Sequence, residues 1–295
     1  MQQRVRNATS RRHFLTRAAA MGAALAASQE PASLWTFAAD TGILPRSIHP
    51  FPNQITWSTG ALFIRHKAAL AVSPDSDAGA VEMLRDTWQR FTLGAVELTV
   101  TRDPALRNGE FALERARPPQ RQSAATYALQ VDATGVGASA TDVVGMRHAW
   151  FTLLQLLDAD NTADGGIEFS VPQVTVQDWP VLTFRGLHVC VFHETPPLMI
   201  EKAIRLAAFF KFTHVVLEFW GMLRLEAMKE LSWPEAWSKE QAGQMVSLAR
   251  SMGLEVIPMF NCWGHAPASR IKHGRHVVLD QNAQLTPLFE PDGWT

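Results

Sequence analysis

The sequence predicts an α/β protein in two parts, an α+β domain followed by alternating strands and helices. Between residues 48 and 178, short extended runs are interrupted by two segments that have apolar residues at helical spacing. After residue 179, continuously apolar strands alternate with helical segments, which is typical of a parallel sheet covered on both faces. At about 150 residues per domain, a chain of 295 residues is expected to form two domains.

Composition and charge exclude several classes of protein. The 27 basic and 28 acidic residues nearly balance, so no polybasic surface for nucleic acid is expected, and 47% hydrophobic residues exclude a wholly disordered chain. Cys190 and Cys262 are too few for a disulfide scaffold or a zinc ribbon, although a single bridge remains possible. We therefore expect no cofactor, no nucleic-acid partner and, after processing, no stable membrane insertion.

The first thirty residues have the features of an export signal. Five arginines and no acidic residue precede the weakly apolar stretch 18–27, and the adjacent Arg11 and Arg12 are followed by Phe14 and Leu15. This arrangement resembles a twin-arginine signal peptide, with small residues near Ala27 for cleavage. The resemblance implies recognition by the twin-arginine translocase and a periplasmic or extracellular location.

The first part of the chain is predicted to consist of a linker at 31–47 and an α+β domain at 48–178. Proline residues in and just after the linker discourage helix formation, and Gln177 to Pro180 is interpreted as a hinge. A strand at 171–176 contains Pro172, which favours an edge position. The other expected elements are strands at 61–72, 96–101, 127–131 and 135–139, a helix at 78–91 and a helix after Asp142.

The second part, residues 179–295, is predicted to contain βα units. The expected elements are strands at 183–191, 213–219 and 254–260 and helices at 198–210 and 239–252. Such units build either a doubly wound sheet or a (β/α)8 barrel, but no G-x-G-x-x-G or G-K-[ST] motif follows the first strand. Polar and aromatic residues instead follow each strand. In a barrel these strand ends share one face, where active sites are built.

Three stretches, taken together and in this order, resemble glycoside hydrolase family 20, the beta-N-acetylhexosaminidases and their relatives. They are residues 127–158, residues 178–188 with Asp-Trp-Pro and Arg-Gly-Leu-His, and residues 256–266 with Val-Ile-Pro and Gly-His-Ala. The resemblance covers about residues 45–270. It implies an amino-terminal α+β domain of zincin-like shape without zinc, followed by the first part of a (β/α)8 TIM barrel.

The resemblance also implies a sugar-binding site. Arg185 matches the family arginine that binds sugar hydroxyls, and His265 matches a histidine behind the acid/base. The chain departs from the family where it has Cys190, Glu218, Gly221, Met259 and Asn261, which stand in place of the usual Asp, His, Asp, Glu and Asp. The expected substrate-binding residues are Arg185, Glu218, Trp220, Asn261, Trp263 and His265.

The catalytic residues of the family are expected outside this sequence. Family members use an Asp-Glu pair after the fourth barrel strand, together with the acetamido group of the substrate. We expect that pair beyond Thr295, so that residues 179–295 form only the amino-terminal portion of the catalytic barrel. The chain alone is accordingly expected to bind sugar weakly or not at all and not to hydrolyse it.

Two other interpretations remain open. A metal enzyme would need ligands such as His188, Cys190, His193, Glu194 and His265 to meet in space, but no H-E-x-x-H helix is present and no metal is expected. A non-catalytic carbohydrate-binding protein would use its tryptophans to stack on sugar rings without turnover.

Overall fold

The computed structural model describes residues 48–259, except 109, 115–125, 164, 193, 220 and 228–231. The predicted signal peptide and linker, Trp220, Asn261, Trp263 and His265 therefore lie outside the described residues, as do His193 and Cys262. The strands are β1 (Gln54–Ile64), β2 (Lys67–Val72), β3 (Glu97–Arg102), β4 (Glu110–Leu113), β5 (Tyr127–Asp132), β6 (Gly135–Ala140), β7 (Asp158–Asn161), β8 (Ile167–Asp178), β9 (Gly186–Val191), β10 (His214–Phe219) and β11 (Glu255–Met259). The helices are α1 (Ala78–Phe91), α2 (Val143–Leu156), α3 (Pro197–Phe209) and α4 (Lys239–Ser251).

The first part of the chain forms a mostly antiparallel sheet against which α1 and α2 pack. Its strand order is β1-β8-β5-β6-β4-β2-β3, with β7 added at β8, and only the pair β2 and β3 is parallel. Helix α1 begins where the Asp77 side chain accepts a hydrogen bond from the amide of Ala80, and α2 begins where Asp142 accepts one from the amide of Gly145. Both helices thus start at the capping residues that the sequence supplies.

Two sequence predictions in this sheet are corrected. The single strand expected at 61–72 is two strands, because His66 adopts a left-handed conformation with φ 43° and turns the chain between β1 and β2. The strand around Pro172 is not at an edge, since β8 lies between β1 and β5. Pro172 is tolerated there because the register with β1 shifts between Trp57 and Ala61, which is the irregular place in a ladder where a residue without an N–H fits.

The second part of the described chain forms a parallel three-stranded sheet. Its order is β11-β10-β9, and α3 and α4 connect successive strands as the alternating pattern predicts. Val215 and Leu217 of β10 are fully buried on the helix-covered face. On the opposite face, Ile257 and Met259 of β11 remain about 40% exposed. This second face, which we call the inner face, carries the side chains that point away from α3 and α4.

The hydrophobic core continues across residue 179. Phe209 of α3 stacks on Phe91 of α1 at 5.1 Å between ring centroids and meets Phe151 of α2 edge to face at 6.2 Å. The Gln155 amide of α2 also donates to the Phe209 carbonyl at 3.1 Å. The two parts of the chain are therefore joined by packed aromatic side chains as well as by the polypeptide.

A buried polar network lies at the same junction. Lys211 Nζ is 2.8 Å from the Tyr127 hydroxyl and 3.4 Å from Asp178 Oδ2, and the Tyr127 hydroxyl donates to that carboxylate at 3.0 Å. Burial lowers the pKa of Lys211 to about 8, with Asp178 opposing the shift. Burial and the Asp178 charge raise the pKa of Tyr127 well above its ordinary value.

None of the helices in the described part of the chain has both the length and the apolar character that a membrane span requires.

Candidate functional site

The carboxyl ends of β9 and β10 bring three polar side chains into contact. Glu218 is the penultimate residue of β10, and its register partner on β9 is Cys190. Glu218 Oε2 is 2.6 Å from Nε2 of His188 and accepts a hydrogen bond from Cys190 Sγ at 3.0 Å. The sequence-predicted Glu218 thus lies where ligand sites are built in parallel α/β sheets, at the carboxyl edge.

Strand geometry explains why these three residues meet. Successive side chains of a strand alternate between faces, so His188 and Cys190 share the inner face while Leu187, Val189 and Val191 point to the core. Glu218 occupies the same face of the neighbouring strand, opposite Cys190. The cluster therefore forms because His188 and Cys190 are two residues apart on β9 and because Cys190 lies opposite Glu218 on β10.

The cluster has one buried and two accessible members. The Glu218 side chain is 4% exposed, whereas the His188 side chain is 50% exposed and Cys190 is half-buried. Removing a carboxylate from water is costly unless nearby groups donate hydrogen bonds or positive charge. The contacts with His188 and Cys190 supply this compensation within the described part of the chain.

Arg185, which the family resemblance assigns to sugar binding, lies outside this cluster. It directly precedes β9, at the amino-terminal edge of the parallel sheet, while Glu218 lies five residues further along the neighbouring strand. Its Nε donates to the Lys211 carbonyl at 2.8 Å, its Nη1 contacts the Leu182 carbonyl, and its amide donates to Thr213 at 2.9 Å. Burial lowers its pKa, and Asp178 opposes that shift. The guanidinium therefore holds the start of β9 against the turn after α3.

The loop after β10 folds back over the end of its strand. Gly221 takes φ 80°, a conformation that suits glycine, and its carbonyl accepts the Trp233 amide at 3.0 Å. Trp237 is 4% exposed and meets Phe219 edge to face at 6.1 Å. The family position occupied by Gly221 thus serves a turn here, and Trp237 belongs to the core and is not presented to a ligand.

The sequence names His188 as a candidate metal ligand and Cys190 both as a candidate ligand and as a departure from the family pattern, but its order alone does not show that these two residues contact Glu218. The contact could have been predicted from two features of the sequence. His188 and Cys190 are two residues apart on one predicted strand, and Glu218 lies near the end of the next strand, which is parallel to it. Of the other residues in that interpretation, Glu194 is described but is not part of the cluster, and His193 and His265 lie outside the described residues.

Comparisons with known proteins agree with the resemblance found in the sequence. Residues 46–179 match the family model of glycosyl hydrolase family 20, domain 2. A beta-hexosaminidase of Vibrio furnissii is 22% identical over 271 residues, which are 81% of this chain and 41% of that protein. The chain therefore spans about two fifths of the length of this curated relative.

Solved structures of family 20 enzymes share the fold. The exo beta-N-acetylglucosaminidase from Vibrio harveyi in complex with N-acetylglucosamine gives a TM-score of 0.59 at 18% identity, covering 82% of this chain and 40% of its own. A mutant Streptomyces plicatus beta-hexosaminidase in complex with its product gives 0.58 at 17% identity, covering 77% of this chain and 49% of its own. These structural matches show a shared fold.

Proposed function

We propose, from the premise that this chain is a divergent member of glycoside hydrolase family 20, that it is part of an exported enzyme of the beta-N-acetylhexosaminidase type. The family-model match over residues 46–179 and the similarity to a beta-hexosaminidase support a glycoside hydrolase. We further propose that residues 48–178 are the zincin-like domain and that residues 179–295 hold the first part of the (β/α)8 barrel. The observation that carries the proposal is the order of parts, in which the family domain is followed directly by parallel strands with a polar cluster at their carboxyl edge.

The sugar is proposed to bind at this carboxyl edge. Glu218 supplies carboxylate oxygens that accept hydrogen bonds from sugar hydroxyls, and aromatic side chains after β10 and β11 stack on the apolar face of a sugar ring. The proposed residues are Glu218 together with Trp220, Asn261, Trp263 and His265. Arg185 is left out of this set because its guanidinium donates to backbone carbonyls at the opposite edge.

The catalytic step is proposed to need residues other than these. No Asp-Glu dipeptide occurs among the 295 residues, so the adjacent pair that the family uses after the fourth strand has no counterpart in this sequence. We therefore expect this chain by itself to bind an N-acetylated sugar weakly without hydrolysing it. A non-catalytic carbohydrate-binding protein would also bind sugar without hydrolysing it. The two functions differ only in a longer protein, which would hydrolyse the sugar if it is an enzyme and would not if it only binds carbohydrate.

Binding of N-acetylglucosamine to the full 295-residue chain tests the proposed site. Saturation-transfer NMR should show binding with a dissociation constant of about 1 mM or weaker, and glucose should bind less tightly because it lacks the acetamido group. A Trp220→Leu variant should weaken binding at least about fivefold by removing a stacking surface. Trp179→Leu is the matched control, because Trp179 is 38% exposed and directly follows β8 of the antiparallel sheet, outside the proposed site.

Equal binding of glucose and N-acetylglucosamine, or equal losses in the Trp220 and Trp179 variants, would contradict this site. Hydrolysis of an aryl beta-N-acetylglucosaminide by the chain alone would contradict the proposed absence of the catalytic pair.

Export by the twin-arginine route is proposed from Arg11 and Arg12. Replacing both with lysine keeps the charge but removes the guanidinium pair that the signal resembles. We expect the variant to remain in the cytoplasm and the parent to appear outside it with a new amino terminus near Ala27. Unchanged export of the double-lysine variant, or exported protein that still begins at Met1, would show that this interpretation is wrong.

A further inference from the structure

A nitrogen, a sulfur and an oxygen atom converge on one point of the inner face. The atoms are His188 Nε2, Cys190 Sγ and Glu218 Oε2, and all three lie within 4.8 Å of one another. Their pairwise separations are 2.6 Å for nitrogen and oxygen, 3.0 Å for sulfur and oxygen, and 3.9 Å for sulfur and nitrogen. Imidazole, thiolate and carboxylate are the three protein ligands that zinc prefers.

We propose that His188, Cys190 and Glu218 bind a zinc ion. With Zn–N near 2.0 Å, Zn–S near 2.3 Å and Zn–O near 2.0 Å, tetrahedral coordination separates the ligand atoms by about 3.3 to 3.6 Å. The separations in the structure differ from these values by about 0.7 Å at most. Small side-chain rotations, without movement of the strands, therefore suffice to admit the ion.

The charges of the three groups match a divalent cation. On binding, zinc displaces the thiol proton of Cys190 and any proton on His188, and these protons pass to solvent. The thiolate and the Glu218 carboxylate then carry two negative charges that neutralise the ion, while the imidazole is neutral. The neutral complex suits Glu218, whose side chain is 4% exposed and would otherwise keep a charge in a poorly hydrated place.

The ligand types distinguish zinc from harder cations. Magnesium and calcium take six or more oxygen ligands, and the cluster offers one carboxylate among its three groups. A thiolate with imidazole is a softer set that favours zinc among the abundant divalent ions. Three protein ligands leave one tetrahedral position for water or another group, and the half-exposed His188 shows that solvent reaches the cluster.

The geometry does not favour a nucleophilic cysteine instead. In such a site the histidine contacts the sulfur with one ring nitrogen and a carboxylate with the other. Here the same nitrogen of His188, Nε2, lies 2.6 Å from Glu218 and 3.9 Å from Cys190, and one carboxylate oxygen faces both groups. The three ligand atoms form one compact group within 4.8 Å of one another, as a shared ion requires, and are not arranged in sequence as in a catalytic triad.

The same sheet offers a matched control at its other edge. His214 Nε2 lies 3.3 Å from Glu255 Oε2, joining β10 and β11 at their amino ends without a cysteine. A His214→Gln variant removes a histidine that pairs with a glutamate in this sheet but leaves the proposed zinc ligands intact. Cys262→Ser is the control for the second cysteine of the sequence.

The test is zinc binding to the metal-free full chain, measured by calorimetry, with cobalt(II) as a spectroscopic probe. We expect one ion per chain and, with cobalt, a sulfur-to-metal charge-transfer band. Losing a partner that only orients a ligand costs about 10- to 100-fold in affinity, so losing a direct ligand in Cys190→Ser or His188→Gln should cost at least about 100-fold. The cobalt band should disappear in Cys190→Ser, while His214→Gln and Cys262→Ser should retain both signals.

Circular dichroism establishes that each variant is folded. Substituting His188 should remove little packing, because its side chain is half exposed. Absence of zinc binding by the parent, a cobalt spectrum without the sulfur band, or equal losses in the His214 and His188 variants would overturn the proposal. None of these readouts depends on sugar binding or hydrolysis, so the zinc site and the proposed function can fail separately.

Discussion

The buried Lys211 should make the stability of the protein depend on alkaline pH. Its side chain is 3% exposed, and its pKa falls from an ordinary 10.5 to about 8 because burial disfavours the charged amine. Between these two values the unfolded chain binds more protons than the folded one, so the free energy of unfolding rises with pH. For this pair of pKa values, the rise from pH 8 to pH 10 is about 2 kcal/mol.

Urea unfolding followed by tryptophan fluorescence at pH 8, 9 and 10 measures this rise. A Lys211→Met variant removes the titrating amine and should lose the rise of about 2 kcal/mol relative to the parent. Lys67→Met is the control, because the Lys67 side chain is 77% exposed and its loss should leave the rise unchanged. Unfolded Tyr127 begins to ionise near pH 10 in all three proteins, so the differences between them isolate the lysine. An equal rise in the Lys211→Met variant and the parent would show that Lys211 is not the group that titrates.

Two further predictions concern His148 and Arg185. Burial lowers the pKa of His148 from 6.5 to about 3. As the pH falls from 7 to 5, His148 gains a proton in the unfolded chain but not in the folded one, so the free energy of unfolding should fall by about 2 kcal/mol. Urea unfolding of His148→Gln should show a smaller decline, and an identical decline would contradict the assignment. Arg185→Ala should lower the free energy of unfolding by about 1 to 3 kcal/mol through lost hydrogen bonds to the Lys211 and Leu182 carbonyls, without changing the affinity for N-acetylglucosamine. A stable variant with reduced sugar affinity would restore Arg185 to the site.

The helices could be predicted because local signals agree with the tertiary structure. Apolar spacing predicts α1 at 78–91, and in the structure the side chain of Asp77 caps its first turn. Likewise Ser238 and Gln241 form a reciprocal capping box at the start of α4. Where propensity, periodicity and capping point to the same element, its boundaries follow from the sequence to within a residue or two.

The sheet of the first part was harder to predict because strand pairing is not local. β4 has four residues, all buried, and no alternation marks it as a strand. β8 was assigned to an edge from Pro172 alone, but its position depends on long-range partners in β1 and β5. Proline has no N–H to donate to a regular ladder. Pro172 nevertheless fits inside the sheet because it pairs with Ala61, next to the place where the register of β1 and β8 shifts.

The candidate site was predictable in its location and less so in its members. The rule that functional side chains follow the carboxyl ends of parallel strands correctly placed Glu218 at that edge. Arg185 was assigned to the site from the family resemblance, and in the structure it directly precedes β9, at the amino edge of the sheet. Polarity and sequence order near a strand do not by themselves specify which edge a side chain occupies.

Hydrogen–deuterium exchange with and without N-acetylglucosamine tests whether the carboxyl edge of the parallel sheet binds sugar. We expect protection in peptides that contain the ends of β9 and β10, around Cys190 and Glu218, with no change around Arg185. Protection confined to residues 48–178, or centred on Arg185 and the amino edge of β9, would contradict it.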